Sequence, residues 1–221
     1  MYDTGTQQPL TDSHTAATFR ALVEAIVPRT PELSVYGAEQ TAGAAEFNVH
    51  EYLIWEMDHT LSLLFGLNPT VIPLAPATAR MLDNAALQFA AAGGTKPPYL
   101  YSASGETPFA ALSPGDRIRV LSMLERLEVD LGALPDPYRN NGGYVKFIID
   151  YLNRSTMFGF YSEWSGYGST RLAPPDWRRL EHFPLGWLQV GYPGVSRGYR
   201  DLRGFVLRID RKEGGTPDVQ H

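Results

Sequence analysis

Ser113-Pro-Gly-Asp-Arg-Ile-Arg-Val-Leu-Ser-Met-Leu-Glu-Arg-Leu127 carries a complete helix start followed by a helical repeat. The Ser113 side-chain oxygen can accept from the free N–H groups of a first turn. Pro114 suits the first helical position, where a missing N–H costs nothing, and Asp116 stands where a capping acid reaches back. Ile118, Leu121, Leu124 and Leu127 then recur at the spacing of one helix face and are expected inside. Arg117, Arg119, Glu125, Arg126, Glu128 and Asp130 are expected on the solvated side. Gly132 offers a C-terminal stop.

The same period runs outward on both sides of this stretch. Residues 11–28 read as a helix with Asp12 or Ser13 as N-cap, with Phe19, Leu22, Val23, Ile26 and Val27 at helical spacing and Pro28 as breaker. Residues 42–65 read as the longest helix. Val49, Leu53, Met57, Leu61 and Leu64 form its main stripe, with Tyr52 beside them. Phe47, Ile54 and Trp55 lie off the stripe, and a helix apolar on more than one side belongs at the centre of its bundle. Gly66, Asn68 and Pro69 end it. A third helix starts at Pro76, buries Leu82, Ala86, Phe89 and Ala90, and stops at Gly93-Gly94. A loop follows over 95–112. Beyond the quoted stretch, residues 143–158 form a fifth helix with Val145, Ile148, Ile149 and Leu152 inside.

No sustained period-2 alternation interrupts this pattern. The expected fold is therefore mainly α: a five-helix, bundle-like domain over residues 1–160. From Gly159 onward the character changes. Ten aromatic residues between Phe160 and Phe205 alternate with glycines, and Pro174, Pro175, Pro184 and Pro193 break regular helix. The reading is a long, irregular, glycine- and aromatic-rich extension over 161–210, with one short helix near 176–180, and a frayed tail over 211–221. Rings at this density must be buried, either on the chain's own helices or on another protein, where Trp, Tyr and Arg dominate binding energy. Trp164, Tyr167, Trp187, Tyr192, Tyr199 and Arg200 are the candidate partner-binding residues.

Charge and composition exclude several classes. The formal net charge of −5 speaks against general attraction to nucleic acid or anionic membrane. Acids dominate the first 60 residues, where Arg20 and Arg29 are the basic side chains, and arginines dominate from Arg171 onward. That asymmetry reads either as pairing between the two ends or as the polar rim of an interface. The absence of cysteine removes thiolate catalysis, disulfides and cysteine-based metal sites. No apolar run reaches the ~20 residues of a membrane span. The polar stretch 1–15 is not a signal peptide, so the chain is expected in the cytoplasm, or in the periplasm if a leader is missing or a partner carries it.

Candidate chemistry is sparse. Glu56 and His59 form one Glu-x-x-His pair, the unit of di-iron carboxylate bundles, but no second such pair accompanies it. Glu46 and His50 add one more pair of neighbours. Trp164-Ser165-Gly166 fails the nucleophile-elbow pattern because residue 163 is Glu. Gly166-Tyr167-Gly168 lacks the third glycine and the strand–helix setting of a dinucleotide fingerprint. No catalytic, cofactor-binding or metal residue is assigned in this chain.

Three segments together resemble the gluconate 2-dehydrogenase subunit 3 family: Thr18-Phe-Arg-Ala-Leu-Val-Glu-Ala-Ile-Val-Pro-Arg-Thr-Pro31, Phe109-Ala-Ala-Leu-Ser-Pro-Gly-Asp-Arg117, and Gly191-Tyr-Pro-Gly-Val-Ser-Arg-Gly-Tyr-Arg-Asp-Leu-Arg203. They are similar to that family's opening helix, its capped helix start and its C-terminal glycine–tyrosine run. The resemblance implies a small accessory subunit beside an FAD-dependent dehydrogenase of the glucose–methanol–choline type, often with a cytochrome subunit. Such a subunit aids folding, stability or export of the large subunit in a chaperone-like way, while the FAD and the catalytic residues belong to the partner. The family's frequent twin-arginine leader is not seen here, which bears on export. The alternatives are a self-assembling helical structural protein and a stand-alone metal-assisted enzyme using Glu56 and His59.

Overall fold

A computed structural model describes residues 12–61, 72–95 and 107–194. It is mainly helical, with no strand among the described residues. Five helices make the body: α1 Ser13–Ile26, α2 Val49–His59, α3 Ala75–Ala91, α4 Pro114–Arg126 and α5 Gly142–Tyr161. A sixth short helix, α6 Leu185–Val190, follows two 3-10 helices, Glu163–Thr170 and Pro175–Trp177. Helix α1 packs against α2, α3 and α4, and α5 packs against α2 and α4. Phe19, Leu22, Leu53, Met57, Met81, Leu82, Leu124 and Ile148 meet with no exposed surface between them. Burying each such side chain stabilises the fold by about 1.5–3 kcal/mol.

Side-chain capping accounts for the starts of α1, α4 and α5. The Asp12 carboxylate accepts from Thr15 N at 2.8 Å, Ser113 Oγ from Asp116 N at 3.2 Å, and Asn141 Oδ1 from Tyr144 N at 3.2 Å. Helix α3 begins with Pro76 in its first turn and ends before Gly93, whose φ of 76° lets the chain turn away.

Four expectations are corrected. The longest described helix is α5, with 20 residues, and not the segment around 42–65. Residues 44–48 form a turn, with Asn48 left-handed at φ 53°, so α2 starts at Val49. The cause is a close chain approach: a Cβ on Gly43 would lie 2.6 Å from Val27 O, and Ala44 N donates to that carbonyl at 3.0 Å. The proposed continuation of α2 past residue 61 lies outside the described residues.

Second, α4 is turned relative to its expected face. Arg117, Val120 and Leu124 are buried, while Ile118 is 39% exposed. The Arg117 guanidinium tolerates burial because it donates to Ala21 O at 3.2 Å, Ala110 O at 2.6 Å and Glu24 Oε2 at 2.8 Å. Third, α4 stops at Arg126 and not near Gly132. Leu127 itself takes the left-handed cap, φ 58°, and Glu128 N donates to Met123 O at 2.8 Å. Gly132 instead sits in the 3-10 turn Leu131–Ala133, with its N–H on Asp130 Oδ1.

Fourth, the region after residue 160 is more regular than expected. α5 continues through Gly159 to Tyr161, because Gly159 provides close contact with α2: an added Cβ would lie 2.6 Å from the Tyr52 ring and 2.9 Å from Val49. The expected short helix near 176–180 is the 3-10 turn Pro175–Trp177, and α6 forms where Pro184 was expected to prevent helix. Pro184 precedes the first turn of α6, a position at which proline does no damage.

Candidate functional site

The described part of the extension, 162–194, folds back over the ends of α2 and α5. Two tryptophans hold it there. Trp164 is 2% exposed; its Nε1–H donates to Asn48 O at 3.1 Å, and its ring meets Tyr52 edge-on at 5.3 Å. Asn48, the left-handed N-cap of α2, also accepts from Glu51 N at 3.0 Å, so the indole N–H is the second donor to its carbonyl. Over the outer face of Trp164 lies the Arg178 guanidinium, 5.2 Å from that ring and 4.4 Å from Trp55. Stacking between two indoles suits a delocalised cation. Burial pulls the Arg178 guanidinium below its ordinary range, although Tyr167, Glu56, Glu163 and Tyr52 oppose that shift.

Trp187 makes the second anchor. It is 8% exposed, its Nε1–H donates to Tyr161 O at 3.0 Å, and Phe183 and Tyr192 meet it edge-on at 5.5 and 4.9 Å. Helix α6 can approach α5 this closely because residue 186 is glycine; a Cβ there would lie 2.3 Å from Phe160 O. On its other side, α6 is tied to the 3-10 helix Ala38–Thr41. Gln189 Nε2 donates to Glu39 O at 2.6 Å, and Gln40 Nε2 donates to Gln189 O at 3.2 Å.

Around buried Trp187 lies a collar of exposed apolar side chains: Phe183, Tyr192, Leu188, Val190 and Tyr161. Each of the five has at least 40% of its surface open to solvent. A buried tryptophan ringed by accessible aromatic and aliphatic groups has the composition of an interaction surface.

The six candidate residues from the sequence therefore divide. Trp164 and Trp187 are packed against the chain's own helices, so their apolar area is used in cis. Tyr167 is half-buried, with its hydroxyl on Glu163 Oε1 at 3.0 Å. Tyr192 remains 46% exposed in the collar. Tyr199 and Arg200 lie outside the described residues. Phe183, Leu188 and Val190 were not among the candidates. For Leu188 and Val190 the signal is the run Leu185-Gly-Trp-Leu-Gln-Val190, whose inward Trp and outward Leu and Val follow from helical geometry once α6 is recognised.

The charge asymmetry of the two ends is realised in part as internal pairing. Arg171 forms a fork with Glu51, Nε to Oε2 at 2.5 Å and Nη2 to Oε1 at 3.1 Å. The hydrogen bonds to Glu51 hold the Arg171 guanidinium above its ordinary range.

The residues considered for metal binding do not converge. Glu56 Oε2 accepts from Thr60 Oγ1 at 2.8 Å and from the Tyr151 hydroxyl at 3.3 Å, while His59 Nδ1 bonds Trp55 O at 2.8 Å and its ring stacks on Trp55. Glu46 Oε2 accepts from Gly43 N in the turn before α2, whereas His50 is buried. Burial pushes His50 down to about 4. Among the described residues no group of three or more His, Asp or Glu side chains is placed to hold a metal ion. No helix among them is long and apolar enough to cross a membrane.

Comparison with known proteins finds no matching family model, no matching curated protein and no matching solved structure.

Proposed function

We propose that this chain is a non-catalytic accessory subunit that binds and stabilises an FAD-dependent sugar or alcohol dehydrogenase large subunit. The FAD and the catalytic residues belong to the partner. The collar of Tyr161, Phe183, Leu188, Val190 and Tyr192 around Trp187 is the observation that carries the interaction part of this reading. Apolar side chains left accessible on a well-packed helical body favour association over isolation in water. The resemblance of 18–31, 109–117 and 191–203 to the subunit 3 family carries the choice of partner.

The test is affinity purification of the tagged chain from its native cell, with mass spectrometry and a flavin absorbance scan of the eluate. A stoichiometric large partner with a flavin spectrum supports the reading. It should be lost with Leu188→Asp and Val190→Asp, two exposed positions whose substitution leaves the core intact. A colourless chain bound only to itself would replace the proposal with self-assembly through the same collar. A colourless chain that binds nothing would remove both.

A further inference from the structure

Val35 and Tyr36 are 79% and 77% exposed, and Leu33 beside them is 37% exposed. They stand on the 3-10 helix Pro31–Tyr36, which runs directly into Ala38–Thr41. The base of this segment is closed by the backbone. Thr30 N donates to Thr41 O at 3.0 Å, and Thr30 Oγ1 donates to Gln40 O at 3.2 Å. An apolar face held open to water in this way keeps a driving force toward a cover.

Its charge is one-sided. Between Thr30 and Leu61 the chain has six acidic side chains and no lysine or arginine. Glu51 is answered by Arg171 and, at 3.9 Å, Glu46 by Arg29. Glu32 and Glu39, on either side of Val35 and Tyr36 in the chain, form no ion pair among the described residues. Asp116, Glu128, Asp136 and Asp150, elsewhere on the body, each have an arginine within 3.6 Å. The cover that fits this face is therefore both apolar and basic.

The chain carries that complement itself. Residues 195–212 hold five arginines and Lys212 against Asp201 and Asp210, together with the apolar run Phe205-Val-Leu207. They begin after Gly194, which crosses the Phe183 ring so closely that a Cβ there would lie 3.1 Å from it. Helix α6, just before, is clamped to Ala38–Thr41 through Gln189 and Gln40. The exit therefore lies next to the face, and a segment of this length reaches about 60 Å when extended. Such a tether holds it at roughly millimolar effective concentration, which favours its own face over that of another molecule. We propose that residues 195–212 dock on the face of Leu33, Val35 and Tyr36 in the same chain, with arginines against Glu32 and Glu39. Tyr199 and Arg200 then serve the chain itself, as Trp164 and Trp187 do. This inference concerns the chain alone and does not rest on the accessory-subunit reading.

The test is amide hydrogen exchange of the isolated full chain, read from peptides covering 195–212. These amides should exchange about tenfold more slowly, or slower still, than in a synthetic peptide of the same sequence. Val35→Ser combined with Tyr36→Ser should return them to the peptide's rate. It should leave thermal unfolding of the helical body unchanged, because both side chains lie outside the core. Peptide-like rates in the unaltered chain would overturn the docking. Slow exchange that survives the double substitution would overturn the choice of face. Slow exchange that is lost on dilution, with a dimer on sedimentation, would replace the cis arrangement with exchange of the segment between copies. Failure to recover a flavoprotein in the purification above would leave this result untouched.

Discussion

Trp164 donates its indole N–H to the carbonyl of Asn48 at 3.1 Å, across 116 positions of sequence. This bond joins the extension to the turn that precedes α2, and the ring fills a site that is 2% exposed. Trp164→Ala is expected to cost about 3–5 kcal/mol, the range for emptying a large aromatic site. Trp164→Phe keeps most of the apolar volume and leaves the Asn48 carbonyl its bond from Glu51 N, so the expected loss is smaller, about 0.5–1.5 kcal/mol. Urea denaturation of both variants checks this. A loss for Trp164→Phe as large as that for Trp164→Ala would show that the hydrogen bond, and not the buried ring, carries the anchor.

Acid lability should trace to His50. Its folded value lies near 4, lowered chiefly by burial, with the positive charges of Arg20 and Arg171 adding to the shift and Glu51 opposing it. A lowered value means that the folded state binds fewer protons than the unfolded state. Stability from this group is therefore complete above the ordinary imidazole value of 6.5 and is lost as pH falls toward 4. The total is on the order of 3 kcal/mol. Denaturation midpoints measured from neutral pH down through this window should fall more steeply for the native chain than for His50→Leu. Parallel curves would contradict the assignment.

Arg117 and Glu24 should respond unequally to removal. The Arg117 side chain is 10% exposed and also satisfies the Ala21 and Ala110 carbonyls, whereas Glu24 is 51% exposed. Arg117→Ala is expected to cost about 3 kcal/mol, by orphaning buried acceptors and opening a void. Glu24→Ala should cost less than about 1 kcal/mol, because water replaces the lost partner. Thermal denaturation of both single variants and the double variant reads the difference. A larger effect at Glu24 would mean that the ion pair, and not the carbonyl contacts, dominates.

Gly186→Ala should separate α6 from α5 without unfolding the body. The new Cβ would sit 2.3 Å from the backbone oxygen of Phe160, which cannot move without distorting α5. The expected cost is about 1–3 kcal/mol, with exposure of Trp187. A red-shifted tryptophan emission and faster proteolysis between α5 and α6 would register the release. Unchanged emission would show that α5 yields instead.

The helical class and most helix starts were legible in the sequence because capping and amphipathic spacing act within one or two turns. Asp12, Ser113 and Pro76 read correctly for that reason, as did the buried Leu22, Leu82 and Ile148. The face of α4 was misread because Arg117 was scored by its charge. The nearby carbonyls that make its burial possible come from residues 21 and 110, distant in sequence. The start of α2 was misread because Gly43 serves a contact with residues 27–29 that helical periodicity does not encode.

The candidate site was legible in composition but not in arrangement. Tryptophan and tyrosine in the extension announce that rings must be buried. Which rings remain open depends on where α6 lands, and that is set by the absent Cβ of Gly186 and the Gln40–Gln189 clamp. Local backbone and side-chain chemistry is enough to specify helices, since its interactions span a few residues. Cis packing of the extension and the placing of the exposed collar arise from contacts between segments more than a hundred residues apart, and packing alone selects them.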